Sequence, residues 1–262
     1  MAISRFEIEA AADDLQRALV SAVPTTRLLN RFPDLDVDSA YAIQLLNVKR
    51  ALASGKRISG KKIGLTSKAM QNMFNVDTPD YGHLFSDMEV TNGRIERARM
   101  IQPKVEAEIA FVLSRDLDKP GEISTQDVLD STDYVIAALE IVDTRMGDWK
   151  ISLVDTVADN ASSGMYVLGN VQKKISEIDL KNETMDLYKN GKKMNSGRGT
   201  DVLGDPAYCV AWLANKMRNY GTLLKKGEVI LSGALSAAIA AEKGDVFKAV
   251  YSSLGQVEVT FY

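Results

Sequence analysis

The spacing of apolar residues in the first part of the chain is helical. Ser4 followed by Glu7 forms a capping-box pattern, after which apolar residues recur three and four positions apart. A second helix is expected to begin near Asp38 and to end before Gly55. Its predicted apolar face comprises Tyr41, Leu45, Val48 and Leu52. The pattern therefore predicts a helical N-terminal section over residues 1–58.

The pattern changes after this section to short strands separated by turns. Apolar residues alternate with others from Val105 to Leu113, and Tyr134–Val142 is a continuous apolar run typical of a buried strand. Asp205 and Pro206 begin one further helix, as N-cap and first helical residue. We expect an α+β chain whose β-rich domain covers residues 59–262 and whose sheet is rolled or closed.

Composition argues against several classes of partner. The net charge is −3, from 32 basic and 35 acidic residues, and no long basic run is present, so no nucleic-acid partner is expected. No apolar run is long enough to span a bilayer, and no apolar signal core follows the N-terminus. The single cysteine, Cys209, lies in an apolar helical pattern and is interpreted as a core residue. These features predict a cytoplasmic protein without membrane contact.

The single histidine, His83, limits the possible chemistry. A metal site with several histidines is impossible, and no Gly-x-Ser-x-Gly motif accompanies a possible serine triad. No phosphate-binding P-loop pattern occurs at Lys56 or Lys61 either. A metal site in this chain would have to use oxygen ligands, which favours Mg²⁺ or Mn²⁺ over Zn²⁺.

Glu106 and Glu108 are the first candidates for such a site. In a strand, residues two apart lie on the same face, so both glutamates project together while Val105, Ala107 and Ile109 face the other way. Two adjacent carboxylates repel each other, and burying them requires a positive charge, which a divalent cation would supply. A half-exposed strand with two solvated glutamates is an equally good interpretation of this segment alone.

Glu140 is the third candidate. It lies near the end of the apolar run Tyr134–Val142, where a buried acid requires a cationic partner. Three carboxylates would form a metal site with positions open for water or a chelating substrate. An ion pair between Glu140 and a lysine or arginine remains a serious alternative.

Two further segments contain polar groups that could serve a site. Lys61 and Lys62 would point to opposite faces of a strand, so only one of them can face a site, and by themselves they are interpreted as solvated. Residues 155–164 are small and polar, which favours a simple loop.

Several segments together resemble the 2-hydroxypentadienoate (2-keto-4-pentenoate) hydratases and the related 4-oxalocrotonate decarboxylases of the fumarylacetoacetate hydrolase superfamily. The resemblance covers nearly the whole chain, and the order of its motifs makes it specific. The motifs are Gly60–Ser67, Pro79–Gly82, Gln102–Glu108, Ala138–Asp143, Asp155–Ser162 and Leu231–Ala234.

The resemblance implies a mixed β-roll or barrel core of the fumarylacetoacetate hydrolase type, with catalysis in the β-rich domain. It implies that Mg²⁺ or Mn²⁺ is bound at the positions of Glu106, Glu108 and Glu140. Lys62 matches the family's acid–base lysine, and Asp80 matches the aspartate of its Pro-Asp-aromatic-Gly motif. Ser162 and Leu65 match positions that contact the substrate carboxylate or line the pocket. The resemblance also implies a homo-oligomer, and a possible association between hydratase and decarboxylase.

The resemblance favours a hydratase acting on a small 2-oxo or 2-hydroxy dienoic acid. Lys61–Met73 and Arg145–Ile151 are hydratase-like, whereas Ser236–Ala238 is closer to the decarboxylases. The expected reaction adds water to a 2-hydroxy-2,4-dienoate, with Lys62 and Asp80 as the proton-transfer pair and with burial or a metal lowering the lysine pKa. The alternatives are a 4-oxalocrotonate decarboxylase and a non-catalytic metal-binding scaffold for a partner enzyme.

Overall fold

The computed structural model describes residues 3–262, and at positions 69, 73 and 74 it describes the backbone alone. The helices are α1 (Arg5–Ser21), α2 (Leu28–Arg31), α3 (Val37–Ala53), α4 (Lys68–Phe74), α5 (Thr125–Ser131), α6 (Leu153–Ala158) and α7 (Pro206–Arg218). The strands are β1 (Ile58–Gly64), β2 (Asp80–Phe85), β3 (Arg94–Ile95), β4 (Lys104–Leu113), β5 (Thr132–Val142), β6 (Ser163–Lys173), β7 (Thr184–Lys189), β8 (Lys192–Arg198), β9 (Val229–Ala234), β10 (Ile239–Ala240), β11 (Val246–Tyr251) and β12 (Gln256–Phe261).

The two long N-terminal helices begin where the sequence pattern places them. The capping box before α1 is confirmed, because Ser4 Oγ accepts a hydrogen bond from Glu7 N and the Glu7 carboxylate accepts one from Ser4 N. α3 has Asp36 as its N-cap. Leu52, expected on the buried face of α3, is 45% exposed. Gln44 is buried there instead, because its side-chain amide donates to the main-chain oxygen of Tyr81 in β2.

The larger sheet has seven strands in the order β2-β1-β9-β4-β5-β6, with β10 paired to the N-terminal end of β4. β1 and β9 are parallel, and β4 is antiparallel to β9. The C-terminal ends of β1 and β9 therefore lie at the same end of the sheet as the N-terminal end of β4. The mixed sheet with its N-terminal helices confirms the expected α+β class.

The larger sheet is rolled almost into a barrel. Glu89, which follows β2, forms a parallel bridge with Tyr166 of β6, and Val90 N donates to the Tyr166 carbonyl at 2.8 Å. A second sheet has five strands in the order β3-β12-β11-β7-β8. Among the helices of residues 3–262, none combines the length and apolar character needed to cross a membrane.

The two faces of β4 have different environments. The odd-numbered residues from Val105 to Leu113 are buried in the main hydrophobic core. The opposite face carries Glu106 and Glu108, followed by Ala110 and Val112 in a smaller apolar cluster. The predicted alternation is confirmed, and it places both glutamates on the face that points away from the main core.

Candidate metal and proton-transfer site

Three carboxylates converge where β4 pairs with β5. Glu106 lies directly opposite Glu140 in the antiparallel register, and Glu108 lies two residues further along the same face. One carboxylate oxygen from each residue lies within 4.8 Å of the others. Strand pairing therefore brings together the three glutamates that were predicted to share a site.

Glu108 and Glu140 are completely buried and Glu106 is partly buried, so the interpretation of two solvated glutamates on a half-exposed strand is wrong for Glu108. Glu108 Oε2 accepts a hydrogen bond from Gly233 N at 2.7 Å, and Glu140 Oε1 accepts one from Ser163 Oγ at 3.2 Å. The other oxygens, Glu108 Oε1 and Glu140 Oε2, have no hydrogen-bond donor among the described residues, although Glu140 Oε2 lies within ion-pair distance of Lys62. Buried oxygens without donors are costly, so they indicate a missing cationic or donor partner.

The electrostatics of the cluster favour protons or a cation. Burial, with further contributions from Glu140 and Asp80, raises the pKa of Glu106 to about 7, although Lys62 opposes the shift. Burial and the two neighbouring glutamates raise the pKa of Glu108 well above its ordinary value. Burial also raises the pKa of Glu140, against the opposing effect of Lys62. Carboxylates this close cannot all ionise without compensation.

Lys62 lies on the carboxylate side of β1. Its Nζ is 3.4 Å from Glu140 Oε2 and donates a hydrogen bond to the Ala161 carbonyl at 3.1 Å. Lys61 points to the other face, where its Nζ donates to Glu228 Oε1 at 2.6 Å. Both lysines are buried, so the expectation that they are solvated is wrong. The expectation that only one of them can face the site agrees with this geometry.

The ion-pair interpretation of Glu140 is realised, but it accounts for only part of the acidic charge. One lysine faces the carboxylates of Glu106, Glu108, Glu140 and Asp80. Burial by itself would lower the pKa of Lys62, but Glu140, followed by the other acids, raises it above its usual range. The shift is opposite to the expected lowering by burial, and the neighbouring carboxylates are its cause.

Asp80 lies beside Lys62, across from Gly64 in the β1–β2 pairing. A Cβ atom at position 64 would lie 2.2 Å from Asp80 Oδ1 and 3.4 Å from Lys62 Nζ, so only glycine leaves room for both groups. Burial raises the pKa of Asp80, and its Oδ1 has no hydrogen-bond donor within residues 3–262. Lys62 and Asp80 therefore both lie near Gly64 and the glutamates, and Asp80 is one of the acids that raise the pKa of Lys62.

The donor set fits a hard divalent cation. Carboxylate oxygens are the ligands that Mg²⁺ and Mn²⁺ prefer, and three of them leave positions open for other ligands. A dication would compensate the excess acidic charge around Lys62 and would satisfy the glutamate oxygens that lack donors.

Leu65 follows Gly64, which pairs with Asp80, and Ser162 follows Ala161, which accepts the hydrogen bond of Lys62. Leu65 follows Gly64 at the end of β1, with a left-handed φ of 56° and a partly exposed side chain. Ser162 is buried next to Ala161, and its Oγ lies 3.1 Å from Thr156 Oγ1. Their roles in substrate binding stay predictions.

Three groups that support the site were not assigned from the sequence. They are the hydroxyl of Ser163, the N–H of Gly233 and the carbonyl of Ala161. Residues 155–164 were interpreted as a loop, but they include most of α6 and the turn after it. A capping box of Ser152 with Asp155 precedes α6, and that pattern could have predicted the helix. The two main-chain groups leave no such signal.

Comparison with known proteins identifies relatives along the whole chain. Residues 67–262 match the family model for the fumarylacetoacetate (FAA) hydrolase C-terminal region. A 2-keto-4-pentenoate hydratase of Paraburkholderia xenovorans is 46% identical over 97% of this chain and 94% of its own length. A 2-hydroxyhexa-2,4-dienoate hydratase of Comamonas testosteroni is 44% identical over 97% of both chains.

A solved structure shares the complete fold. The 4-oxalocrotonate decarboxylase of Pseudomonas putida G7, complexed with magnesium and adipate, has a TM-score of 0.95 and 34% identity, over 100% of this chain and 99% of that chain. These matches confirm the resemblance and the fold type that the sequence motifs predicted.

Proposed function

Because the chain belongs to the fumarylacetoacetate hydrolase family, we propose that it is a metal-dependent hydro-lyase of aromatic meta-cleavage catabolism. It adds water to a 2-hydroxy-2,4-dienoate and forms a 4-hydroxy-2-oxo acid. The observation that carries the proposal is the buried Lys62–Asp80 pair beside three convergent glutamates. The names and high identity of the hydratase relatives support the same activity.

Glu106, Glu108 and Glu140 would hold the Mg²⁺ or Mn²⁺ ion. When bound, the ion would act as a Lewis acid on the carboxylate and 2-oxygen of the substrate. The magnesium complex of the similar 4-oxalocrotonate decarboxylase supports a hard cation. Gly233 and Ser163 would orient Glu108 and Glu140 through their hydrogen bonds.

Lys62 and Asp80 would carry the proton transfers. The reaction removes the proton of the 2-hydroxyl group and adds one at C5, which converts the dienol to an α,β-unsaturated ketone. Water then adds at C4 and loses one proton, and a proton is added at C3. Lys62, whose ammonium group lies 3.4 Å from Glu140, is suited to donate, and Asp80, with an oxygen lacking a donor, is suited to accept.

Ser162 and Leu65 would position the substrate. The Ser162 hydroxyl is proposed to bind the substrate carboxylate, and Leu65 to line the pocket beside the dienoate chain. Their places next to Ala161 and Gly64, which contact or adjoin the Lys62–Asp80 pair, support these roles.

Decarboxylation of 4-oxalocrotonate is the second candidate. The structural match to the decarboxylase and the sequence Ser236–Ala238 favour it. Sequence identity favours hydration, since it is 34% to the decarboxylase and 46% to a hydratase. A dicarboxylate substrate would also require an additional cationic or hydrogen-bonding group in the pocket. A non-catalytic scaffold for a partner enzyme is the third candidate.

An ultraviolet assay of the purified chain tests these candidates. With Mg²⁺ or Mn²⁺, the chain should consume 2-hydroxypenta-2,4-dienoate and form 4-hydroxy-2-oxopentanoate, and a chelator should stop the reaction. Faster release of carbon dioxide from 4-oxalocrotonate, without hydration of the dienoate, would replace hydratase by decarboxylase. Turnover of neither substrate would favour the scaffold.

A cytoplasmic location, a homo-oligomeric assembly and pairing with a decarboxylase or hydratase are also proposed. The assembly and the pairing rest on the family resemblance, and the location rests on the sequence features described above. Size-exclusion chromatography with light scattering would test the assembly, and co-purification with the second enzyme would test the pairing.

A further inference from the structure

The turn between α6 and β6 has an unusual backbone. Asn160, Ala161 and Ser162 have φ angles of 55°, 52° and 54°. The left-handed region is unfavourable for residues with a Cβ atom, and a run of three persists only where the surroundings hold it. The contacts of this turn therefore show which interactions stabilise it and which group it positions.

The carboxamide of Asn160 fastens the turn to β2. Its Oδ1 accepts a hydrogen bond from His83 N at 2.7 Å, and its Nδ2 donates to the His83 carbonyl at 2.8 Å. β2 is the first strand in the order of the larger sheet, so this side chain supplies main-chain partners that a further strand would otherwise provide. Gly82 permits the close approach, because a Cβ atom there would lie 2.3 Å from the Asn160 carbonyl oxygen.

Arg145 fastens both ends of the same turn. Its guanidinium donates to the Asp159 carbonyl at 2.6 Å and to the Ser163 carbonyl at 2.8 Å, and it also pairs with the Asp159 carboxylate. Arg145 and Asp159 are both buried. The main chain before and after the turn is therefore fixed, and Asn160 fixes the turn itself.

In this conformation, the turn places one main-chain carbonyl within hydrogen-bond distance of Lys62. The Ala161 carbonyl accepts the Lys62 Nζ hydrogen bond at 3.1 Å, and the Nζ lies 3.4 Å from Glu140 Oε2. We propose that Asn160 is a positioning residue, whose two hydrogen bonds to β2 hold the left-handed turn so that the Ala161 carbonyl fixes Lys62 beside Glu140 and Asp80. The catalytic meaning of this placement rests on the proposed function.

Asn160→Gly is the first test, because glycine accepts the left-handed backbone and only the two side-chain hydrogen bonds are lost. Lys62 should then become more mobile and more accessible. Labelling by an amine reagent, resolved by tandem mass spectrometry, should show a several-fold rise of Lys62 modification relative to Lys61. Lys61 is the internal control, since it is equally buried but is held by Glu228. Under the proposed function, kcat should fall about 10–100-fold with little change in KM.

Asn190→Gly is the matched control. Asn190 also has a left-handed backbone, with φ 53°, and its carboxamide accepts from Val246 N and donates to Asp245 Oδ1, each at 2.8 Å. This variant loses a similar pair of hydrogen bonds at the β7–β8 turn. It should leave the Lys62-to-Lys61 labelling ratio and kcat unchanged.

The proposal is wrong if folded Asn160→Gly keeps the original labelling ratio, or if Asn190→Gly changes that ratio equally. If Asn160→Gly does not fold, Asn160→Asp replaces it, because aspartate keeps the shape and the acceptor for His83 N but replaces the donor to the His83 carbonyl by a carboxylate oxygen. If neither variant folds while Asn190→Gly does, Asn160 is required for folding, and its positioning role is overturned. The labelling ratio can be measured without turnover. If the chain without substitutions has no hydratase activity, the proposed function is refuted, but this test remains valid.

Discussion

Lys61 and Lys62 are neighbours in β1, but the buried polar groups on the two faces of the strand differ in balance. On one face, a single lysine meets a single glutamate, with 2.6 Å between Lys61 Nζ and Glu228 Oε1. On the other face, Lys62 meets four acidic groups, and several of their oxygens have no donor within residues 3–262. A balanced buried pair can complete a fold, whereas an excess of buried carboxylates requires a further cation.

The two lysines also differ in the direction of their pKa shifts. Burial lowers the pKa of Lys61 in spite of Glu228. Burial also acts to lower the pKa of Lys62, but Glu140 and the other acids raise it. Adjacent residues of the same type therefore acquire different properties from their partners. We assign a structural role to the face with Lys61 and a catalytic role to the face with Lys62.

The largest effect is expected from Lys62→Met, which should lower kcat by about 10²–10⁴-fold because it removes the proposed proton donor. Mn²⁺ binding should remain, since the three glutamates are unchanged. Steady-state kinetics with 2-hydroxypenta-2,4-dienoate measure this loss. A folded, metal-binding variant with full turnover would remove Lys62 from the mechanism.

Lys61→Met should act on stability instead. It leaves the buried Glu228 carboxylate without its cation, so the free energy of unfolding should fall by about 3–5 kcal/mol in urea denaturation. The double variant Lys61→Met/Glu228→Gln should regain most of that loss, because no unpaired charge remains. A kcat loss in folded Lys61→Met comparable to that of Lys62→Met would contradict the division between the two faces.

The smallest effect concerns His83, which lies opposite Lys61 in the β1–β2 pairing. Burial, followed by Lys61, lowers the pKa of His83 to about 3. Below pH about 6.5 the unfolded chain binds a proton that the folded chain does not, so this group lowers the free energy of unfolding as the pH falls. The loss is at most about 1.4 kcal/mol per pH unit.

His83→Gln should remove this contribution. The difference in unfolding free energy between neutral pH and pH about 5.5 should be about 1 kcal/mol smaller in the variant than in the unchanged chain. Urea denaturation at the two pH values measures it. An equal pH dependence in both proteins would show that folding does not lower the pKa of His83.

Strand periodicity predicted much of the site, because it acts over neighbouring residues. Alternation placed Glu106 and Glu108 on one face of β4, and the apolar run around Glu140 predicted its burial. Alternation also separated Lys61 from Lys62, but the family resemblance was needed to choose between them. The fold class followed from the change of helical to strand spacing near β1.

The support of the site could not be predicted in this way. The left-handed backbone of Asn160, Ala161 and Ser162 depends on contacts with His83 and Arg145, which are distant in sequence. No residue in the turn is a glycine that would have indicated it. The excess of acidic charge around Lys62 likewise arises only when β1, β2, β4 and β5 come together.

The central claim is that the excess carboxylates around Lys62 form a divalent-metal site. Titration of the metal-stripped chain with Mn²⁺, followed by the electron paramagnetic resonance signal of free Mn²⁺, tests it most directly. We predict one Mn²⁺ site per chain, which Glu108→Gln abolishes and Glu228→Gln preserves, because only Glu108 belongs to the unbalanced cluster. Unchanged Mn²⁺ binding by folded Glu108→Gln would contradict the account.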